Sequence, residues 1–178
     1  MYCNFFNLIL SYRKYVYLNT KDYNQLIDLF ADNIYRFALK HLKNDMDAKD
    51  IVQNTYLKAW EKHNTIELSK GKSYLFTVAY HLILDHIKFD KRHVTDDLLN
   101  TIELEQNHFN IDLSETLHWA LDKLPTIQKT VVLLRDYEGY SYDEIAAITS
   151  ISESQVKVYI FRARKALKSV LISKDLVI

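Results

Sequence analysis

Residues 141–171 read SYDEIAAITSISESQVKVYIFRARKALKSVL, and they decide how the second half of the chain folds. Ser141 is followed three residues later by Glu144, and Ser152 is followed three residues later by Gln155. This spacing is a capping box, which marks the beginning of a helix. Two capped helices, the first of them short, joined by about three residues predict a helix-turn-helix, a motif that can place its second helix in the major groove of DNA.

The second helix of this motif has two contrasting faces. At 100° per residue, one stripe, which we expect to pack against the preceding helices, contains Val156, Ile160, Ala163, Leu167 and Val170. Long basic side chains reach phosphates, whereas Gln and Arg side chains also read the edges of nucleobases. The residues expected on the DNA-facing side are Ser154, Gln155, Lys157, Val158, Phe161, Arg162 and Lys165. Two alternatives stay open: Gln155 completes the capping box instead of touching DNA, and the whole face is a basic helix end exposed to solvent.

The residues upstream follow a helical period. Apolar side chains recur at three- and four-residue steps from Tyr23 to Leu42, and further helices are predicted over 47–62 and 74–91. The polar loop 64–73 lies between these two helices. The chain contains only 2 Gly and 1 Pro in 178 residues, which favours long helices over turn-rich β structure. The predicted fold class is all-α, with two small helical domains.

Charge is unevenly distributed, although 23 Lys and Arg balance 23 Asp and Glu. Residues 94–122 contain seven acidic residues and no Lys or Arg, whereas residues 152–178 contain six bases and two acids. The zero net charge argues against strong DNA binding by the chain alone, because such binding usually needs a positive excess. We expect a flexible acidic linker over 93–113 that joins domains at 22–92 and 114–173.

Residues 1–21 are expected to form an N-terminal extension. They are aromatic and apolar, but their basic pair follows the apolar part and no small-residue cleavage site is evident, so the pattern argues against a signal peptide. No apolar run approaches the roughly 18 residues of a membrane span, so we expect a cytoplasmic protein without membrane insertion. The single Cys3 excludes a disulfide framework and a Cys-built zinc site.

An enzymatic interpretation would start from the spacing His81-x-x-x-Asp85-His86. His81 and Asp85 share a helix face, as metal ligands do, but no third ligand stands at a recognisable spacing. The sequence also contains no nucleophile–base pattern and no Gly-rich phosphate loop. We therefore expect a protein that is not an enzyme, with no catalytic residue, no metal and no other cofactor.

Three blocks of the sequence resemble one known family. They are DAKDIVQNTYLKAWEK at 47–62, SYLFTVAYHLILDHIK at 73–88 and the block at 124–171, and their order and spacing resemble those of bacterial sigma-70 factors of the extracytoplasmic-function group. The resemblance implies a promoter-recognition subunit that directs transcription initiation, with region 2 at 22–92 and region 4 at 114–173. The implied partners are core RNA polymerase, promoter DNA and an anti-sigma factor.

The resemblance also implies where each partner binds. The positions that contact the polymerase clamp in this family are occupied by Asp47, Asp50, Gln53 and Asn54. The loop 64–73 stands where the family captures a flipped base of the minus-10 element, and the last helix stands where it reads the minus-35 element. The implied minus-10 residues are Lys70, Lys72, Tyr74, Tyr80, His81 and Lys88.

The chain departs from the family pattern at several positions. The family often has Glu at the position of Asn54 and an acid at the position of Lys49, so the clamp surface is less acidic here. Ser150 replaces the Gly that is common in the turn, which predicts either an unfavourable left-handed residue or a different turn.

The main competing interpretation is a stand-alone helix-turn-helix transcriptional regulator with an unrelated N-terminal module. Such a regulator would bind duplex DNA without polymerase. The blocks at 47–62 and 73–88 argue against it, since an unrelated module would not resemble region 2. A purely structural helical adaptor would explain the helices but not the two ordered blocks.

Overall fold

The computed structural model describes residues 17–94 and 113–173, and within these ranges the chain is helical. The helices are α1 Thr20–Leu42, α2 Asp45–Lys62, α3 Gly71–Val94, α4 Leu113–Asp122, α5 Thr126–Asp136, α6 Tyr142–Thr149 and α7 Glu153–Ser173. None of the helices in these ranges is long and apolar enough to cross a membrane. The all-α class is confirmed, while the linker predicted over 93–113 falls mostly on 95–112, outside the described residues.

Helices α1 and α2 begin where asparagine side chains accept their first backbone N–H groups. The Asn19 side chain accepts from the N–H of Asp22, whose carboxylate accepts in return from the N–H of Asn19. Asn44 accepts from two N–H groups in the first turn of α2. Such caps stabilise a helix by about 1 kcal/mol, because the first N–H groups have no partner inside the helix. Leu18 is already buried, although it lies four residues before residue 22, where the predicted first domain begins.

Helices α1, α2 and α3 form the first unit around a shared apolar core. The Tyr23 hydroxyl on α1 donates to the backbone carbonyl of Tyr56 on α2 at 2.9 Å, and burial raises the pKa of both hydroxyls. The core includes Ile34, Phe37, Ala48, Ile51, Leu75, Phe76 and Ile83. Each fully buried large apolar side chain contributes about 1.5–3 kcal/mol, so the core fixes α3, which carries most predicted minus-10 residues.

Helix α3 begins at Gly71, three residues before the predicted Tyr74. Gly71 lies against α1, and a Cβ atom there would stand 2.6 Å from the Cδ1 atom of Leu26. The absence of a side chain lets the two helices approach closely. The loop predicted over 64–73 is therefore shorter, and it consists of two 3-10 turns, His63–Thr65 and Leu68–Lys70.

Helices α4 to α7 form the second unit. Pro125 stands directly before α5 with φ −54°, and Gly139 turns the chain after α5 with φ +77°. The stripe predicted on α7 is confirmed for Val156, Ile160 and Ala163, which are buried against the preceding helices. Leu167 and Val170, its last two members, are only partly buried. The other core residues of this unit include Val131, Leu133, Leu134, Ile145 and Ile148.

The predicted helix-turn-helix is confirmed in α6 and α7. The N–H of Ser141 donates to the Glu144 carboxylate at 2.8 Å, and the N–H of Ser152 donates to Oε1 of Gln155 at 3.0 Å. Both capping boxes therefore form. Ser150 ends α6 with φ 57° and ψ 37°, which is the left-handed conformation expected if a non-glycine residue occupies this turn.

The two units pack against each other through α3 and the segment before α6. Nζ of Lys72 donates to the backbone carbonyl of Glu138 at 3.1 Å and lies 4.5 Å from the ring centroid of Tyr140. The Tyr140 ring meets Phe76 edge-to-face at 5.4 Å, and Asn33 donates to the Glu138 carboxylate at 2.8 Å. We call these five residues the docking interface.

A second set of contacts joins the end of α1 to the second unit. The carboxylate of Asp122 accepts from Nζ of Lys43 at 2.8 Å and from Nζ of Lys129 at 2.7 Å. Nε2 of His41 lies 3.4 Å from Oγ1 of Thr130, and Nδ1 of His41 is buried with no partner among the described residues. Burial, and after it the charge of Lys129, lower the pKa of His41 to about 3, so its ring is neutral at pH 7.

Candidate polymerase and nucleic-acid surfaces

The outward face of α7 presents all seven residues that the sequence predicts to face DNA. Each of them is exposed, namely Ser154, Gln155, Lys157, Val158, Phe161, Arg162 and Lys165. Val158 and Phe161 are 44% and 68% exposed although they are apolar. Apolar groups on a basic face fit contact with thymine methyls or with a protein.

The basic residues of α7 differ in whether they form ion pairs within the protein. Lys157 forms an ion pair with Glu153 at 2.6 Å, which raises the pKa of Lys157. Arg164 donates two hydrogen bonds to the carboxylate of Asp136 on α5, so it fastens α7 to the unit beneath it. Arg162 and Lys165 form no ion pair with any residue in 17–94 or 113–173, and both remain available for phosphates.

Gln155 serves the capping box. Its Oε1 accepts from both the N–H and the hydroxyl of Ser152, each at 3.0 Å, and the N–H of Gln155 donates to the same hydroxyl at 3.3 Å. The residue is nevertheless exposed, and its side-chain NH₂ makes no contact within the described part of the chain. Of the two roles that the sequence allows for Gln155, its side-chain oxygen takes the one in the capping box. Its NH₂ group remains free to read a nucleobase.

A groove of about 470 Å³ runs along α7, and three of its lining residues were not predicted, namely Tyr142, Arg164 and Lys168. Lys168 continues the stripe of Phe161 and Lys165 by one more turn, so helical spacing alone would have found it. Tyr142 reaches the groove from α6, where its ring centroid lies 5.6 Å from Nζ of Lys157. Only the packing of α6 on α7 brings Tyr142 there, so no local pattern signals it.

The predicted polymerase-contact residues lie along α2. Asp50, Gln53 and Asn54 are exposed. Asp47 is partly buried, because its carboxylate lies 3.5 Å from Nε2 of His86 on α3. Three of the four residues therefore stand free on one stretch of α2, whereas Asp47 is shared with α3.

The structure places most of the predicted minus-10 residues near the beginning and along the outer side of α3. Lys70 pairs with Glu67 at 2.8 Å, and Tyr74 is half-buried, which raises the pKa of its hydroxyl. His81 and Lys88 are exposed. Lys72 does not join them, because its ammonium is occupied in the docking interface.

Tyr80 is a core residue and leaves the predicted minus-10 set. It is 5% exposed and lies on the inner side of α3 with Phe76 and Ile83. Base stacking needs an open ring face, which Tyr80 lacks. The spacing of positions 76, 80 and 83 is that of one helix face, so the sequence contained the signal for burial.

A stacked aromatic pair at the end of α2 was also missed. The rings of Trp60 and His63 lie 4.4 Å apart at 6°, and Trp60 is 41% exposed. Tyr23 supports Trp60 from α1 at a centroid distance of 5.0 Å. This pair borders the 3-10 turns and provides a flat surface of the kind on which bases stack.

The pattern His81-x-x-x-Asp85-His86 does not assemble a metal site. Nδ1 of His81 lies 2.7 Å from the carbonyl of Thr77, and His86 lies between Asp47 and Asp90. In the part of the chain that the structure describes, no three His, Cys, Asp or Glu side chains come together as metal ligands do.

Comparison with protein families shows two matches. The model of Sigma-70 region 2 matches residues 26–93, and the model of Sigma-70, region 4 matches residues 114–167. The first includes α2 and α3 with the predicted polymerase and minus-10 residues. The second includes α6 and most of α7.

Known proteins of similar sequence cover most of the chain. RNA polymerase sigma factor SigV of Bacillus subtilis strain 168 is 33% identical over 150 residues, which are 81% of this chain and 87% of SigV. ECF RNA polymerase sigma factor SigM of the same strain is 28% identical over 151 residues, 82% of this chain and 93% of SigM.

The fold is similar to solved structures. The sigma factor RpoE in complex with the anti-sigma factor NepR from Bartonella quintana superposes with a TM-score of 0.72 at 26% identity, covering 85% of this chain and 98% of RpoE. CnrH in complex with the cytosolic domain of CnrY superposes with a TM-score of 0.64 at 21% identity, covering 87% of this chain and 90% of the matched chain, and shows the fold alone.

Proposed function

We infer the function from the premise that this chain belongs to the sigma-70 family of RNA polymerase sigma factors, in its extracytoplasmic-function group. It is a sigma factor that binds core RNA polymerase and directs promoter-specific transcription initiation. Sigma factors as a class are not enzymes, and we assign no catalytic residue to this chain.

The observation that carries this conclusion is the presence of both region matches in one chain, in the order 2 then 4, with the basic face of α7 exposed in the second. A stand-alone helix-turn-helix regulator would account for α6 and α7. It would not account for the match over 26–93.

We propose that each surface described above meets one partner. The exposed stretch of α2 with Asp50, Gln53 and Asn54 binds the polymerase. The 3-10 turns and the beginning of α3 hold single-stranded minus-10 DNA, because the basic Lys70 and the Trp60–His63 pair combine charge with a stacking surface. The face of α7 reads the minus-35 duplex through phosphate and base-edge contacts.

We also propose an anti-sigma factor as a partner, as the RpoE relative has in NepR. Val158 and Phe161 support this proposal, because exposed apolar side chains among basic residues can bind a protein as well as DNA. A protein bound there would exclude promoter DNA from α7.

Transcription in vitro tests the function. Purified core polymerase, with and without this chain, is incubated with genomic fragments, and the start sites are mapped. A sigma factor creates new start sites that share elements near minus-10 and minus-35. Equal duplex binding by the free chain and by the holoenzyme, with no new start sites, would instead support the stand-alone regulator.

A further inference from the structure

Tyr17 and Leu18 lie across the segment that joins α2 to α3. The N–H of Leu18 donates to the carbonyl of Ile66 at 2.9 Å, and Tyr17 forms an antiparallel bridge with Glu67. Leu18 and Ile66 are 3% and 6% exposed, so their side chains enter the core of the first unit. We call Tyr17 and Leu18 the N-terminal strap.

The segment 63–70 is held at three places. Thr65 closes the first 3-10 turn by donating its hydroxyl to the carbonyl of Lys62 at 2.8 Å, and Gly71 seats the other end against Leu26. Between the two turns, Ile66 and Glu67 are extended, and the strap pairs with them there. A segment fixed at its ends and its centre loses little conformational entropy when it binds a ligand.

We propose that the N-terminal strap positions the segment 63–70 for minus-10 recognition, and that Leu18 is a positioning residue for promoter choice. The proposal rests on the proposed function, which assigns this segment to single-stranded minus-10 DNA. Because Ile66 anchors the segment in the core, the neighbouring side chains remain at the surface. The exposed residues of the segment are Asn64, Thr65, Leu68, Ser69 and Lys70.

The position of Leu18 separates this role from general support of the fold and from polymerase binding. Helix α1 has its own capping box between Asn19 and Asp22, which does not use the Leu18 side chain. The exposed polymerase-contact residues Asp50 and Gln53 lie on α2, outside the strap pairing. Loss of the Leu18 side chain should therefore loosen the segment more than it loosens the helices.

Holoenzyme assembled from core polymerase and the full chain provides the test. The probes are a labelled single-stranded oligonucleotide with the non-template minus-10 sequence of a mapped promoter, and the same oligonucleotide with each minus-10 base replaced. The measured quantity is the affinity for the minus-10 oligonucleotide divided by the affinity for the base-replaced oligonucleotide. We expect Leu18→Ala to lower this ratio by about tenfold, because small displacements of positioned groups cost large factors, while affinity for core polymerase stays within about twofold.

Matched variants decide the outcome. Leu29→Ala, which truncates an exposed leucine of α1, should keep the wild-type ratio. Removal of residues 1–16 should also keep it, whereas removal of residues 1–18 should lower it. Should Leu18→Ala fail to bind core polymerase, Leu18→Val decides by the same ratio, since it removes a single methylene.

Two different results would overturn the two ideas separately. If the two Leu18 variants and the 1–18 truncation all keep the affinity ratio of wild type, the role of the strap is overturned. A wild-type holoenzyme that binds every oligonucleotide equally overturns the assignment of minus-10 recognition to this chain, whatever the state of Leu18.

Discussion

The backbone of a single residue controls the turn between α6 and α7. Among the described residues, Lys43 and Ser150 are the non-glycine residues with positive φ, at 60° and 57°. An L-residue in this conformation costs roughly 1–2 kcal/mol. Lys43 gains an ion pair with Asp122 there, whereas the exposed Ser150 makes no side-chain hydrogen bond within the described part of the chain.

Ser150→Gly should therefore stabilise the protein. Glycine removes the steric cost of the left-handed conformation, although its greater freedom in the unfolded chain offsets part of the gain, so we expect an increase of about 0.5–1 kcal/mol in the free energy of unfolding. Thermal unfolding should show this as a rise in Tm of roughly 1–4 °C.

Gly139 offers the reverse experiment. Its φ is +77°, and a Cβ atom there would meet nothing within 4 Å, so Gly139→Ala changes only the backbone energy. We expect a loss of about 1 kcal/mol, measured in the same way. Equal Tm values for wild type and both variants would mean that neither turn is left-handed in solution.

At the scale of one helix, α7 combines basic residues that we propose to contact DNA with a basic residue that supports the fold. Arg162→Ala and Lys157→Ala should each weaken binding of the holoenzyme to promoter duplex similarly for all minus-35 sequences. Each should also reduce the slope of log affinity against log salt by about 1, because one phosphate contact is lost. Duplex titrations at several salt concentrations measure both effects.

Arg164→Ala is the matched control on the same helix. Arg164 is paired with Asp136, so its loss should lower the Tm and leave the salt slope unchanged. The assignment of the α7 face to DNA fails if Arg162→Ala and Lys157→Ala both leave affinity and slope at wild-type values.

Helix α2 carries a prediction of its own. Asp50→Lys places a positive charge where the family binds the polymerase clamp, so affinity for core polymerase should fall by about tenfold or more, in the range reported for charge pairs at interfaces. Asp28→Lys makes the same change of charge on an exposed position of α1 and should leave the affinity unchanged. Titration of labelled core enzyme distinguishes them, and equal affinities for both variants would remove α2 from the interface.

The helices and their caps were predictable because their signals are local. The capping boxes at Ser141 and Ser152 need only a three-residue spacing and formed as predicted. Asn19-x-x-Asp22, with the apolar Leu18 before it, was a similar signal that places the beginning of α1 upstream of residue 22. Burial of Tyr80 was readable from spacing as well, although a resemblance to other factors pointed to the surface.

Contacts between the two units were beyond local patterns. Lys72 and the carbonyl of Glu138 are 66 residues apart along the chain, and helical periodicity says only which face of each helix is apolar. The same holds for Tyr142 beside Lys157. Helical spacing therefore predicts which residues share one exposed face, whereas it does not predict which residues packing brings beside them.

At the scale of the whole molecule, burial of His41 makes stability depend on pH. The pKa of His41 is about 3 in the folded protein, below the ordinary value of about 6.5 that applies when the chain is unfolded. Below pH 6.5 the unfolded state binds a proton at His41 that the folded state does not bind. The stability that depends on neutral His41 is therefore present above pH 6.5 and is lost as the pH falls toward 3. The free energy of unfolding should decrease by up to about 2 kcal/mol between pH 7 and pH 5.

His41→Gln should remove this part of the acid sensitivity. Urea unfolding at pH 7, 6 and 5 should give a flatter dependence on pH than wild type, even if the absolute stability is lower because the contact with Phe37 is lost. His81→Gln, which replaces an exposed histidine, is the control and should keep the wild-type dependence. Parallel curves for wild type and His41→Gln would show that His41 is not held neutral.

The ammonium of Lys72 cannot serve two partners at once. While it donates to Glu138 in the docking interface, it is withheld from any phosphate, so binding at this position draws on the undocked fraction of molecules alone. A docked population of about 99% would weaken the apparent affinity about a hundredfold without altering a single DNA contact. Docking therefore competes with DNA for Lys72, and any partner that separates the two units would release the ammonium for a phosphate.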